Sequence, residues 1–244
     1  MRTEQLKTLW QLAFGDTREM VDAFFDTAYA PDRCRFSEEA GKITAALHWL
    51  DCHLAGEKYA YIYAVATHPD HRGRGLCRKV MEDTHQALKE QGYAGAILKP
   101  GEEGLRKMYQ SMGYETVTRI CEKEVEAGEE ATEVRTLTLA EYAALRKEKL
   151  PEGALLQENE NLRYLATYAY FYATENTVFA AVHGENRLFI AELLGDPAEA
   201  PKILKSLGYP QGTVRTPGKE IPFAMYHPLK ATARIPQYLG FAFD

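Results

Sequence analysis

The sequence predicts a mixed α/β protein of two lobes, and three observations predict it. The run 58–67, Lys58-Tyr-Ala-Tyr-Ile-Tyr-Ala-Val-Ala-Thr67, is aromatic and apolar and carries no charge beyond Lys58. Such a run reads as a strand buried on both faces at the centre of a sheet. It stops at Pro69, and a glycine-rich turn passes at once into Leu76, Val80, Thr84, Ala87 and Leu88 at helical spacing. Beyond the polar segment Ala127-Gly128-Glu129-Glu130, the expected order of elements loosely repeats that of the first half.

Taken in order, residues 4–14 place Leu6, Leu9, Trp10 and Ala13 on one helical face. Asp16, with Glu19 three residues on, predicts a capping box for a second helix carrying Met20, Phe24, Phe25 and Ala28. Pro31 marks its exit. Strands are expected at 33–37 and 42–54, joined by the turn 38–41. After the central strand, a helix spans 74–91 and ends at Gly92. A short strand at 94–99 follows. The next helix presents Leu105, Met108, Tyr109 and Met112 as one stripe, and 114–126 is extended.

The segment 127–130 reads as a linker, giving domains 1–127 and 131–244. In the second, a strand is expected at 134–138 and helices at 140–149, 161–172 and 197–207, with Pro201 counting against the last. A hairpin is expected at 177–183 and 187–194, then strands near Val214, at 223–227 and at 238–243.

Composition narrows the classes. Of 244 residues, 45% are hydrophobic and 26% charged, which suits a chain able to bury a core. The net charge of −6 disfavours nucleic acid and better suits a cationic partner. Cys34, Cys52, Cys77 and Cys121 are scattered, so reduced thiols in a cytoplasmic setting are expected. No apolar stretch approaches the roughly 20 residues of a membrane span, and the N-terminus does not read as a signal peptide. No metal is expected, because no histidine pair has ligand spacing.

The chemistry centres on His71-Arg72-Gly73-Arg74-Gly75-Leu76-Cys77. A helix start offers unpaired N–H groups and a partial positive charge, and glycines let a phosphate approach them. The segment has neither the Gly-Lys-Ser/Thr of a P-loop nor a third glycine, since Lys79 and Val80 stand where one would fall. Read alone, the two glycines fit a simple tight turn as well.

The segment 61–76 nevertheless resembles the central motif of the GNAT superfamily of N-acetyltransferases. Its Gln/Arg-x-x-Gly-x-Gly/Ala pattern falls on Arg72, Gly75 and Cys77, and Cys77 departs from the usual glycine or alanine. The segment 104–114, Gly104-Leu-Arg-Lys-Met-Tyr-Gln-Ser-Met-Gly-Tyr114, resembles the family's fourth helix. The match covers roughly residues 4–126 and is closest to the Eis-like tandem subgroup, whose second lobe is degenerate.

The resemblance implies a GNAT-like fold for the first lobe and acetyl-CoA as cosubstrate. The amides of Arg72, Gly73, Arg74, Gly75, Leu76 and Cys77 would hold the CoA pyrophosphate. The backbone of Val65, Ala66 and Thr67 would pair with the pantetheine arm. Tyr109 matches the tyrosine that protonates the departing thiolate, although its apolar stripe also suits a plain core tyrosine. A phenol of pKa about 10 stays protonated at neutral pH and can serve a thiol of about 8.5.

The implied activity is acetyl transfer to a primary amine of a small molecule or a protein lysine, by direct attack on the thioester. Some family members carry a glutamate on the fourth strand as base, and residues 59–67 contain no carboxylate or histidine. Asp51, His53 and His48 are the nearest acid–base groups along the chain, and Asp244 would match the terminal carboxylate of Eis-like enzymes. The missing carboxylate keeps a non-catalytic acyl-CoA-binding sensor as the alternative. The second lobe has Gly195-Asp196-Pro197-Ala198-Glu199 where a phosphate loop would lie. It is therefore expected not to bind cofactor, but to wall the acceptor cleft or mediate self-association.

Overall fold

A computed structural model of the chain describes residues 2–243. The first half contains α1 (Arg2–Phe14), α2 (Arg18–Thr27), β1 (Cys34–Glu39), β2 (Lys42–Leu54), β3 (Glu57–Thr67), α3 (Leu76–Glu90), β4 (Gly95–Leu98), α4 (Glu103–Gln110), β5 (Glu115–Thr116) and β6 (Arg119–Glu126). The second contains β7 (Arg135–Thr136), α5 (Leu139–Lys149), β8 (Leu156–Gln157), α6 (Glu160–Leu165), β9 (Tyr170–Ala173), β10 (Val178–His183), β11 (Arg187–Leu194), α7 (Ala200–Leu207), β12 (Gln211–Pro217), β13 (Ile221–Pro222) and β14 (Met225–Pro228). The fold is mixed α/β, as the sequence predicts. No helix among the described residues is long and apolar enough to cross a membrane.

Two compact units form, and they do not divide at 127–131. One is Met1–Glu115 with Met225–Ile235; the other is Thr116–Ala224 with Pro236–Asp244. The reason is hydrogen bonding. β6, expected to close the first lobe, pairs antiparallel with β12 and β13. β14, from near the chain's end, pairs antiparallel with β4.

One sheet runs β1-β2-β3-β4-β14-β5 and the other β13-β6-β12-β11-β10-β9-β7. Each has an antiparallel hairpin followed by a helical crossover to a parallel strand: β2–β3 then β4, and β10–β11 then β12. The repeat suggested by the order of elements is thus a repeat of topology, with the strand beyond the parallel pair contributed by the opposite half.

Alternation sets the first unit's layers. Ala45, Leu47 and Trp49 on β2, with Ala60 and Ile62 on β3, face Val80, Met81 and Leu88 of α3 and Tyr109 of α4 in one buried cluster. Each fully buried aliphatic side chain there contributes about 1.5–3 kcal/mol. His48, between Leu47 and Trp49, points to the opposite face. There it meets the rings of Trp10, Phe24, Phe25 and Tyr29 at 5.3–5.8 Å.

Local differences have clear causes. Asp16 does not cap α2. Its carboxylate accepts the Trp10 indole N–H at 2.7 Å, and Thr17 is the cap, accepting from Met20 N–H. The helix expected at 161–172 ends at Leu165, and Tyr170–Ala173 becomes β9 because its alternating side chains pair with β10. Pro201 stands in the first turn of α7, where a missing N–H costs no helical bond. The segment 238–243 forms no named strand.

Candidate functional site

β3 leaves its neighbour partway. Its parallel ladder with β4 runs from Tyr59↔Gly95 to Tyr61↔Ile97, yet β3 continues to Thr67. Against β2 the register shifts between Ala46↔Ala66 and His48↔Tyr63, which inserts one residue into β3. Ala64 takes that bulge with φ +49°, an uncommon left-handed conformation for a side-chain-bearing residue. Ala66 and Thr67 therefore pair with β2 past the bulge, Val65 sits within it, and all three lie beyond the β4 ladder.

A single 3-10 turn, Pro69–His71, follows, and then the glycine segment. Gly73 and Gly75 have φ +74° and +77°, which L side chains rarely adopt. A Cβ added at either would meet nothing within 4 Å, so the turn is not plugged from within. α3 starts on Gly75 with no side-chain cap. Its first amide-to-carbonyl bond joins Lys79 N–H to Gly75 C=O at 3.0 Å. The amides of Leu76, Cys77 and Arg78 precede that bond and have no partner within the helix.

The arginines are tethered. Arg74 donates to Glu39 at 3.1 Å and contacts His71 Nδ1 at 2.7 Å. Arg72 Nε donates to Thr67 C=O at 3.4 Å. Arg78, which sequence reasoning did not single out, donates to Ser111 C=O and Oγ at 3.1 and 2.6 Å, linking the start of α3 to the end of α4. Its partner lies 33 residues away, so no local pattern pointed to it.

Tyr109 is 6% exposed within the cluster beneath α3 and α4. Burial, and then the neighbouring Cys77, raise its phenol well above the ordinary range, so it holds its proton. Its hydroxyl has no hydrogen-bond partner among the described residues. Cys77 packs against the same cluster with its thiol raised by burial, which agrees with a packing residue and not a nucleophile.

The expected bases divide differently. His48 is 3% exposed, and burial pushes it down to about 3, leaving it neutral. Asp51 is bound by Lys58 at 2.9 Å, Arg33 at 3.4 Å and the Tyr93 hydroxyl at 2.6 Å. His53, on β2 with them, is half-buried. Asp244 lies outside the described residues. No group of three or more His, Cys, Asp or Glu among the described residues could hold a metal.

The second unit's counterpart is closed. After β11, the Asp196 carboxylate accepts Ala198 N–H at 2.9 Å, and Glu199 accepts from Thr174 and Asn176. Asp196 thus caps the 3-10 turn Pro197–Glu199 that leads into α7.

No curated protein matches the chain. Among solved structures, it is similar to a probable N-acyltransferase from Enterococcus faecalis V583 (TM-score 0.71, 14% identity, covering 93% of this chain and 70% of that one). It is also similar to Eis1 from Mycobacterium abscessus (TM-score 0.69, 12% identity, 95% and 72%). A tandem GNAT protein from the clavulanic acid biosynthesis pathway aligns nearly end to end (TM-score 0.56, 12% identity, 94% and 95%). At these identities the likeness is one of fold. Residues 2–117 match the family model described as an acetyltransferase (GNAT) domain. Over just under half of its length, the chain is thus similar in sequence to a GNAT acetyltransferase domain.

Proposed function

We propose that the chain is an acetyl-CoA-dependent N-acetyltransferase acting on a primary amine. The observation that carries this reading is the open glycine turn at an uncapped helix start, following the end of β3 that extends past its β4 ladder. Amides of residues 72–77 suit a pyrophosphate, and the Val65–Thr67 edge suits an extended pantetheine arm by strand addition. The residues present fit the group.

Tyr109 is the acid in this reading. Its hydroxyl keeps its proton and has no hydrogen-bond partner among the described residues, which leaves it available to a ligand. When bound, acetyl-CoA supplies an activated acyl group, and Tyr109 delivers a proton to the departing sulfur. The second unit serves as a non-binding copy, with its helix start filled by Asp196. The acceptor is an amine, and the net charge of −6 favours a cationic one.

Titrating acetyl-CoA into the protein by calorimetry, then following thiol release with a panel of amines, tests the reading. Binding together with amine-dependent thiol release is expected. Binding without release across the panel would make the chain an acyl-CoA sensor, and absence of binding would remove the reading altogether.

A further inference from the structure

The glycine turn and the candidate acid belong to different helices, and one arginine joins them. Arg78 is the third residue of α3, so its own amide is among those left free at the helix start. Its guanidinium reaches the residue that closes α4. Nη1 donates to Ser111 C=O at 3.1 Å and Nη2 to Ser111 Oγ at 2.6 Å. Ser111 is the C-cap of α4 and follows Tyr109 by two residues.

The Ser111 end is itself fixed. Its hydroxyl donates to Met108 C=O at 2.6 Å, so it accepts from Arg78 while donating into the last turn of α4. Met112 N–H donates to Tyr109 C=O at 2.9 Å. His227 Nδ1 lies 3.0 Å from Gly113 C=O, and the Tyr114 hydroxyl lies 2.8 Å from His85 Nε2. The exit of α4 is thus held from Ser111 to Tyr114, and Arg78 supplies the hold that leads to the glycine turn.

Apolar packing sets this spacing less sharply. Cys77, Leu105 and Met112 pack against the cluster that contains Tyr109, but such contacts have no direction. A charge-assisted contact at two points fixes direction as well as distance. Because Arg78 is exposed, the contact adds little to stability, and its consequence is geometric. Misplacing a reacting group by about 1 Å can cost as much as about 10²-fold in rate.

We propose that Arg78 is a positioning residue for Tyr109. It holds the exit of α4 to the first turn of α3, and so sets the reach from the phenol to the sulfur of a cofactor gripped at that turn. This role rests on the acetyltransferase reading above. The rival role for the guanidinium is direct contact with the cofactor's phosphates. Ser111 separates the two, since it anchors Arg78 but offers no charge to a phosphate.

The test measures melting, CoA calorimetry and thiol release with the best amine of the panel. Arg78→Ala and Ser111→Ala are each made in wild type and in Tyr109→Phe. Arg78→Ala keeps the backbone amide, so CoA affinity should stay within about twofold of wild type while kcat falls about tenfold. Ser111→Ala leaves Arg78 its carbonyl partner and should lower kcat about threefold. In Tyr109→Phe no acid is left to place, so neither substitution should cost more than about twofold further. Should Arg78→Ala melt early, Ser111→Ala in the two backgrounds makes the same comparison. Equal losses in both backgrounds would overturn the positioning role while leaving the acetyltransferase reading in place. Undiminished turnover in Arg78→Ala or in Tyr109→Phe would do the same. Weakened CoA binding in Arg78→Ala with wild-type turnover in Ser111→Ala would make Arg78 a phosphate ligand instead. A wild type that binds no acetyl-CoA, or releases no thiol with any amine, removes the reading and this role together.

Discussion

Arg146 Nε and Nη2 grip the Glu192 carboxylate at 2.6 and 3.1 Å, with both side chains sealed from solvent. Glu192 directly follows the register shift of β11 against β10, and Val65 lies within that of β3 against β2. Beside its own register shift, the second unit therefore buries a carboxylate. Arg146 and the hydroxyls of Tyr142 and Tyr238, each at 3.1 Å, absorb it. Removing one partner of a buried pair leaves an uncompensated charge. Arg146→Met should cost about 3–5 kcal/mol in urea denaturation. Arg146→Met combined with Glu192→Leu should cost much less, because no charge is then stranded. Equal losses in the two variants would mean that packing, not charge, dominates there.

The glycine turn permits a sharper separation of folding from binding. At φ +77°, Gly75→Val strains the backbone, whereas Gly75→Asn suits a left-handed position. The added Asn side chain would still project into the open space before α3. Gly75→Asn should therefore melt within a few degrees of wild type and bind CoA at least about tenfold more weakly. That follows from loss of close backbone approach to phosphate. Unchanged CoA affinity in a folded Gly75→Asn protein would move the pyrophosphate elsewhere.

What the sequence made legible here was local. The 58–67 run, Pro69, the glycines at 73 and 75 and the α3 stripe lie within about thirty residues, and their order dictates strand, turn and helix. The bulge at Ala64 was not legible, because it arises from register against β2 and not from any unusual residue. Nor was the exchange of β6 and β14, since both differ little in pattern from strands that stay at home. Their partners, β12 and β4, lie far along the chain. The same limit hid His85: its partners, Tyr114 and His227, come from α4's exit and the chain's last strand. Thr17 displaced Asp16 as cap only because the Trp10 indole claimed the carboxylate.

Tyr109→Phe keeps the ring in its cluster and removes one hydroxyl that has no protein partner. Stability should change little, since no hydrogen bond to the described residues is lost. Acetyl-CoA affinity should hold, while amine-dependent turnover falls about 10²-fold if the phenol is the acid. Turnover at the wild-type level would return Tyr109 to a packing role, and stopped-flow thiol release would read this directly.

Acid should reveal the buried histidines. His48 is pushed down to about 3 and His85 to about 4 from an ordinary 6.5, chiefly by burial. Below pH 6.5 the unfolded chain gains protons at both positions while the folded one does not. Their contribution to stability is therefore complete above that pH and is lost as pH falls toward 4 and then 3. Each such proton tilts stability by about 1.4 kcal/mol per pH unit. His48→Phe retains an aromatic ring among Trp10, Phe24, Phe25 and Tyr29 and removes one of the two protons. Urea denaturation between about pH 4 and 6 should therefore show a slope shallower by about 1.4 kcal/mol per unit in this variant. An unaltered slope would mean that the imidazole titrates normally and reaches water, which its surrounding rings argue against.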